Sequence, residues 1–145
     1  MTDTSQQQGA KAKDKITPPN GFSWKESERI VNGKAILGMQ VAYEVEGKEH
    51  SAFFVDRLPL SKSIAATEMF GAPKTDRGAL ALSAAIRLDE FDGTPVETVE
   101  SRRDIDRAMD RLDEEGLEAF ICALIERSKT TAGNQADQDV DTAGN

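Results

Sequence analysis

Chemistry on a protein needs reactive side chains within reach of one another, and the abundant reactive groups in this chain are carboxylates interleaved with arginines. Asp104, Asp106, Asp110, Asp113, Glu114, Glu115 and Glu118 alternate with Arg102, Arg103, Arg107 and Arg111. Paired carboxylates can do general acid and base work where an apolar pocket separates their pKa values. On a helix, however, Asp104 with Arg107 and Arg107 with Asp110 are i, i+3 neighbours, the spacing of a solvated ion-pair face. The one histidine, His50, stands among Lys48, Glu49 and Ser51 beside a turn, and the one cysteine, Cys122, adjoins the apolar face of a helix. Neither has a residue close in sequence that would activate it as a base or nucleophile. His50 therefore reads as an exposed polar strand residue and Cys122 as a small hydrophobe. No catalytic residue is nominated, and the chain is not expected to be an enzyme.

Metal and cofactor chemistry find no better footing. Structural zinc takes about four Cys or His ligands, and this chain has two such residues, far apart. In the acidic stretch LDEFDGTPVE, aligning Gly93 with the sixth position of a calcium loop puts Leu88 at the first position and Val99 at the last. Both essential carboxylates are then missing. There is no G-x-x-x-x-G-K and no G-x-G-x-x-G, and Gly33, Gly38 and Gly47 are spaced for strand ends and turns. No cofactor is expected.

The charge balance narrows the partners. A net charge of -8 disfavours nucleic acid, because binding a duplex draws on clustered Lys and Arg that neutralise phosphates. No apolar run is long enough for a signal peptide or a membrane span, which predicts a cytoplasmic protein with no membrane partner. A single cysteine makes no internal disulfide and fits a reducing compartment. The hydrophobic content, 38%, falls below the usual ~45–50%. The deficit sits in the ends: residues 1–20 and 129–145 lack the apolar side chains to offset the entropy of ordering, so both are expected to be disordered tails. One domain is left, at 21–128.

Its elements follow from periodicity. Met39, Val41, Tyr43 and Val45 alternate with Gln40, Ala42, Glu44 and Glu46, a strand with one wet face. Gly47 turns the chain into a second strand over 50–55, making an N-terminal β-hairpin. Phe22 and Trp24 mark a stretch that either adds a third strand, giving a small antiparallel sheet, or lies over the hairpin. Beyond Pro59, Ser61 or Ser63 caps a short helix ending at Gly71. A helix from Thr75 or Asp76 to Leu88 is apolar almost all round and should be central. FDGTP at 91–95 is a turn, Ser101 with Asp104 starts an amphipathic helix, and Leu112 to Glu115 breaks it, with Asp113 as the next cap. In the last helix Leu117, Phe120, Ile121, Leu124 and Ile125 share one face. The fold class is α+β: a hairpin or small sheet followed by a bundle of three to four helices. The last stripe is either the domain's own core or a partner surface, and Leu117, Phe120, Ile121 and Leu124 are its candidate partner-binding residues.

From the hairpin onward the order of parts resembles the phage tail assembly chaperones. The matching pieces are Leu58, Pro59 and Leu60 as the step into a short helix, ALALSAAIRL at 79–88, DGTPV at 92–96, and IDRAMDRLDEEGLEAFICAL at 105–124. The resemblance spans roughly residues 35–126. It implies a non-enzymatic protein of the bacterial host cytoplasm that coats the apolar helices of the tape measure protein, or binds other phage tail proteins, during tail morphogenesis. Such proteins are often lengthened by a ribosomal frameshift. A minor structural subunit of the tail or baseplate is the alternative, and self-association is left open.

Overall fold

The computed structural model describes residues 17–96 and 99–144, with side chains up to residue 130. Five strands form one antiparallel sheet in the order β1-β2-β3-β4-β5. They are β1 (Ser23–Val31), β2 (Lys34–Val45), β3 (Lys48–Val55), β4 (Leu88–Phe91) and β5 (Thr94–Pro95). Helices α1 (Leu60–Phe70) and α2 (Asp76–Arg87) lie between β3 and β4, and α3 (Arg102–Gly144) follows the sheet. This is the expected α+β class, with the stretch after Phe22 forming a third strand and the helices interleaved with the sheet.

Three two-residue turns build the sheet. Asn32-Gly33, Glu46-Gly47 and Asp92-Gly93 all have positive φ at both positions, between 51° and 80°. That conformation matches the right-handed twist of the flanking strands, and a glycine in its second place adopts it without strain. FDGTP is thus a hairpin turn between β4 and β5 rather than a link between helices. Leu88 leaves the helix and opens β4, because the backbone turns extended there.

The helix boundaries follow local hydrogen bonding. Pro59, not Ser61 or Ser63, precedes α1; its carbonyl accepts from the amides of Lys62 and Ser63, and no side chain caps the helix. Thr75 Oγ1 accepts from the Gly78 amide to start α2. At α3, the Asp104 carboxylate accepts from the amides of Glu100 (2.9 Å) and Ser101 (3.2 Å), while the Ser101 hydroxyl accepts from Asp104 N–H. The expected break appears at Asp113, whose φ of 55° and ψ of -163° interrupt α3.

One face of the sheet carries the main core. Met39, Val41 and Tyr43 of β2 and Ala52 and Phe54 of β3 pack under Leu82, Ala84 and Ala85 of α2 and Ile105, Ala108, Leu112, Phe120 and Ile121 of α3. The Phe54 and Phe120 rings meet with centroids 4.6 Å apart. Ala79 of α2 is exposed, so that helix keeps one wet side despite its composition. Arg127 fastens α3 to the sheet through two bonds to Asp56 (2.6 and 2.8 Å) and an ion pair with Glu26 at 2.7 Å. Next to it, Trp24 Nε1 donates to Glu126.

The opposite face is curled. Phe53 is 0% exposed yet lies outside the main core. Its ring sits over Gly38, which is inside β2 rather than at a strand end: a Cβ there would meet Phe53 Cζ at 2.8 Å and the Phe54 carbonyl oxygen at 2.1 Å. From β1, Arg29 pairs with Asp89 and Glu90 of β4. In a flat sheet those strands would stand three spacings apart, roughly 14 Å. An arginine closes that gap only because the sheet bends, which the register shift between Phe53 and Phe54 promotes.

Of the expected tails, residues 1–16 lie outside the described residues. The next few are docked: the Asn20 carbonyl accepts from Glu44 N–H at 2.7 Å and the Pro19 carbonyl from Phe22 N–H. At the other end, the α3 backbone runs through 129 to Gly144.

Candidate functional site

The residues first considered for chemistry are mostly used by the fold. Asp104 caps α3, and the amides it receives hold its carboxyl below the usual carboxylate range. Glu114 pairs with Arg77 of α2 at 3.2 Å. The expected i, i+3 ion pairs of Arg107 with Asp104 and Asp110 do not close, consistent with long side chains left in water. Cys122 is buried and not in a disulfide. Burial, with Glu126 and Glu118 nearby, pushes its thiol pKa up, away from the reactive thiolate.

His50 is where chain folding adds what sequence neighbours could not. Its Nδ1 lies 2.9 Å from Asp92 Oδ2, and its ring sits 5.6 Å from those of both Tyr43 and Phe91. It is half-buried, not exposed as expected. Asp92 also accepts from Ser51 N–H and donates its own N–H to the Ser51 carbonyl. These bonds fasten the Asp92-Gly93 turn onto β3, which explains the pair without a reaction. Tyr43, beneath the turn, has its phenol pKa raised by burial, with the Asp92 charge adding to it.

The candidate partner-binding residues of α3 also fall inside. Leu117, Phe120 and Ile121 are buried and Leu124 is partly buried, all packed in the main core. Phe120 and Leu124 lie beside Phe54 and Met39 of the sheet, and Leu117 beside Ala81 and Ala84 of α2.

A different apolar surface is open. Between α1 and the curled face of the sheet lies a groove of about 330 Å³. Ile36 and Val55 of the sheet form one wall, Ala65 and Met69 of α1 another, and Ile86 and Val99 close it. Lys62, Ala65, Ala66 and Met69 follow i, i+3, i+4, i+7, so one side of α1 faces the groove. Leu60 and Ile64 lie half a turn away and are 75% and 49% exposed. Helix α1 is thus apolar on two sides and buries only Ala66 fully. The irregular apolar spacing of 60–70 was the available signal: two stripes overlap there instead of one.

Charge at the groove mouth runs against that of the chain. Arg57, Lys62, Arg87 and Asp89 line it. Asp89 is paired with Arg29, whereas Arg57 and Lys62 are exposed and make no ion pair among the described residues. Arg87 spends its donors on the carbonyls of Val55 and Asp56 and on Ser83.

Comparison with family models, curated proteins and solved structures returns no match to this chain. Among the described residues no helix is long and apolar enough to cross a membrane, and no group of three or more His, Cys, Asp or Glu side chains could hold a metal ion. The groove, the outer side of α1, and the exposed Ile30 and Leu37 of β1 and β2 remain as apolar surfaces open to water, and the groove is the concave one among them.

Proposed function

We propose that this chain is a non-enzymatic, protein-binding chaperone of the phage tail assembly type, which holds the tape measure protein during tail morphogenesis in the host cytoplasm. The observation that carries this reading is helix α1, with an open apolar groove on one side and Leu60 and Ile64 exposed on the other. Apolar surface left in water favours covering by a partner, and a groove edged by a helix suits an amphipathic helical client. The ordered match at 58–60, 79–88, 92–96 and 105–124 supports the particular client class. The net charge of -8 suits a protein that keeps an apolar client dispersed.

Co-expression with the tape measure protein provides the test. The client should stay in the supernatant and co-purify with this chain, and binding should persist at high salt because buried apolar surface is not screened. Leu60→Asp with Ile64→Asp changes exposed positions only and should weaken capture without unfolding the domain. A client equally soluble alone, with this chain found in finished particles, would replace the chaperone by a structural subunit of the tail or baseplate.

A further inference from the structure

We infer that the groove between α1 and the sheet selects an amphipathic helix flanked by acidic residues, seating its apolar side chains against Ile36, Val55, Ala65 and Met69 and its carboxylates against Arg57 and Lys62. The inference rests on the proposed reading that the groove holds a client helix, and it adds the client's chemistry. Its basis is charge complementarity at one place. Across the chain Asp and Glu outnumber Lys and Arg 26 to 18, yet the groove mouth holds three cations and one carboxylate. That carboxylate, Asp89, is paired with Arg29, which it shares with Glu90, whereas Arg57 and Lys62 make no ion pair among the described residues. The first turn of α1, beside Lys62, has no acidic residue and no side-chain cap, so its amide dipoles add the same sign.

Physical chemistry gives the mouth and the floor separate tasks. The apolar floor supplies affinity that salt barely affects, whereas exposed cations at a rim act mainly on orientation and partner choice. A client helix with basic flanks meets like charge at the mouth; one with acidic flanks does not. The chain as a whole is acidic and opposes acidic segments on average, so the preference should be strongest at this groove. A volume of about 330 Å³ is near the lower end for small-molecule sites, roughly 300–1,000 Å³, and leaves room for only a few side chains of one helix.

Two fluorescein-labelled synthetic helices test this against the full chain, sharing one Leu and Ile stripe and differing only in Glu or Lys flanks. Fluorescence anisotropy at moderate salt should show the Glu-flanked peptide binding about tenfold more tightly, and Arg57→Glu with Lys62→Glu should reverse the order. Equal binding of the two peptides, or a preference unmoved by that double variant, overturns the inference while leaving the groove as a client site. Ala65→Trp, which fills the groove from an exposed position, should weaken both peptides at least tenfold with circular dichroism unchanged. If it weakens neither, the groove reading itself fails. Sedimentation of the chain alone covers the remaining occupant: a dimer that Ala65→Trp dissociates would assign the groove to a second copy and overturn the inference.

Discussion

Adding a single methyl group at Gly38 should cost this fold more than a methyl at any glycine in its turns. A Cβ built at Gly38 lies 2.1 Å from the Phe54 carbonyl oxygen and 2.8 Å from Phe53 Cζ. Reaching an ordinary contact of 3.4 Å from that oxygen means opening β2 from β3 by about 1.3 Å. The adjacent bond from Asp56 N–H to the Leu37 carbonyl is 2.9 Å long and would not survive such a shift. Overpacking costs about 1–3 kcal/mol and a lost hydrogen bond about 0.5–1.5, while alanine recovers about 0.5–1 over glycine in a strand. The net is on the order of 0.5–4 kcal/mol, centred near 2, a sizeable part of the ~5–15 kcal/mol that holds a domain together. With a urea slope of about 1–3 kcal/mol/M, the midpoint should fall by about 1 M, read by circular dichroism. Gly33→Ala is the control: nothing lies within 4 Å, and its φ of +78° should cost only about 1–2 kcal/mol. Combining Gly38→Ala with Phe53→Ala should not rescue the strand, since the carbonyl clash stays. A stable Gly38→Ala, or full rescue by trimming Phe53, would show that the sheet is looser here than described.

Phe120→Ala removes a ring that is 1% exposed and packed on Phe54, so it should cost about 3–5 kcal/mol in urea denaturation. The Arg127 guanidinium holds the Asp56 carboxyl below its ordinary pKa, so the pair stabilises the fold above the unfolded carboxylate value, about 4, and less as pH falls through the folded value. Asp56→Asn should accordingly lower stability by about 1–3 kcal/mol at pH 7, and its melting temperature should begin to approach that of the native chain below about pH 4 and meet it only below the lowered folded value. Cys122, buried and with its thiol pKa raised, should react with an aromatic disulfide reagent far more slowly in buffer than in denaturant.

What could be read from the sequence was whatever depended on near neighbours. The alternation at 39–45 marked β2, Thr75 marked the start of α2, and the pairing of Ser101 with Asp104 marked that of α3, because each depends on residues a few places apart. Asn32-Gly33 and Asp92-Gly93 were equally local hairpin signals; reading the second as a link between helices is what hid β4 and β5. His50 with Asp92, Arg29 with Asp89, and Arg127 with Asp56 span 42, 60 and 71 residues, and no periodicity reports such pairs. Gly38 misled for the same reason, since what excludes its Cβ is the neighbouring strand. The candidate site was least legible, because two short stripes on one helix look like one irregular stripe until a sheet is placed beside it.

The location of the open surface follows from how many layers this chain can supply. Met39, Val41, Tyr43, Ala52 and Phe54 present an apolar face that must be covered, and α2 and α3 are its covering layer. That requirement uses the stripe of Leu117, Phe120 and Ile121, so the best-formed apolar helix face has no spare capacity for a partner. The opposite face holds less apolar material, and the sheet curls on it until Phe53 is sealed and Arg29 reaches Asp89. Helix α1 packs on the main core through Ala66 and leaves Ile36 and Val55 of that opposite face as one wall of a groove. A client helix laid there would act as a partial third layer. Substitutions in the α3 stripe should therefore act on folding, whereas substitutions at Leu60, Ile64, Arg57 and Lys62 should act on binding with little change in stability. A variant at those four positions that unfolds the chain would place α1 within the core rather than at its edge.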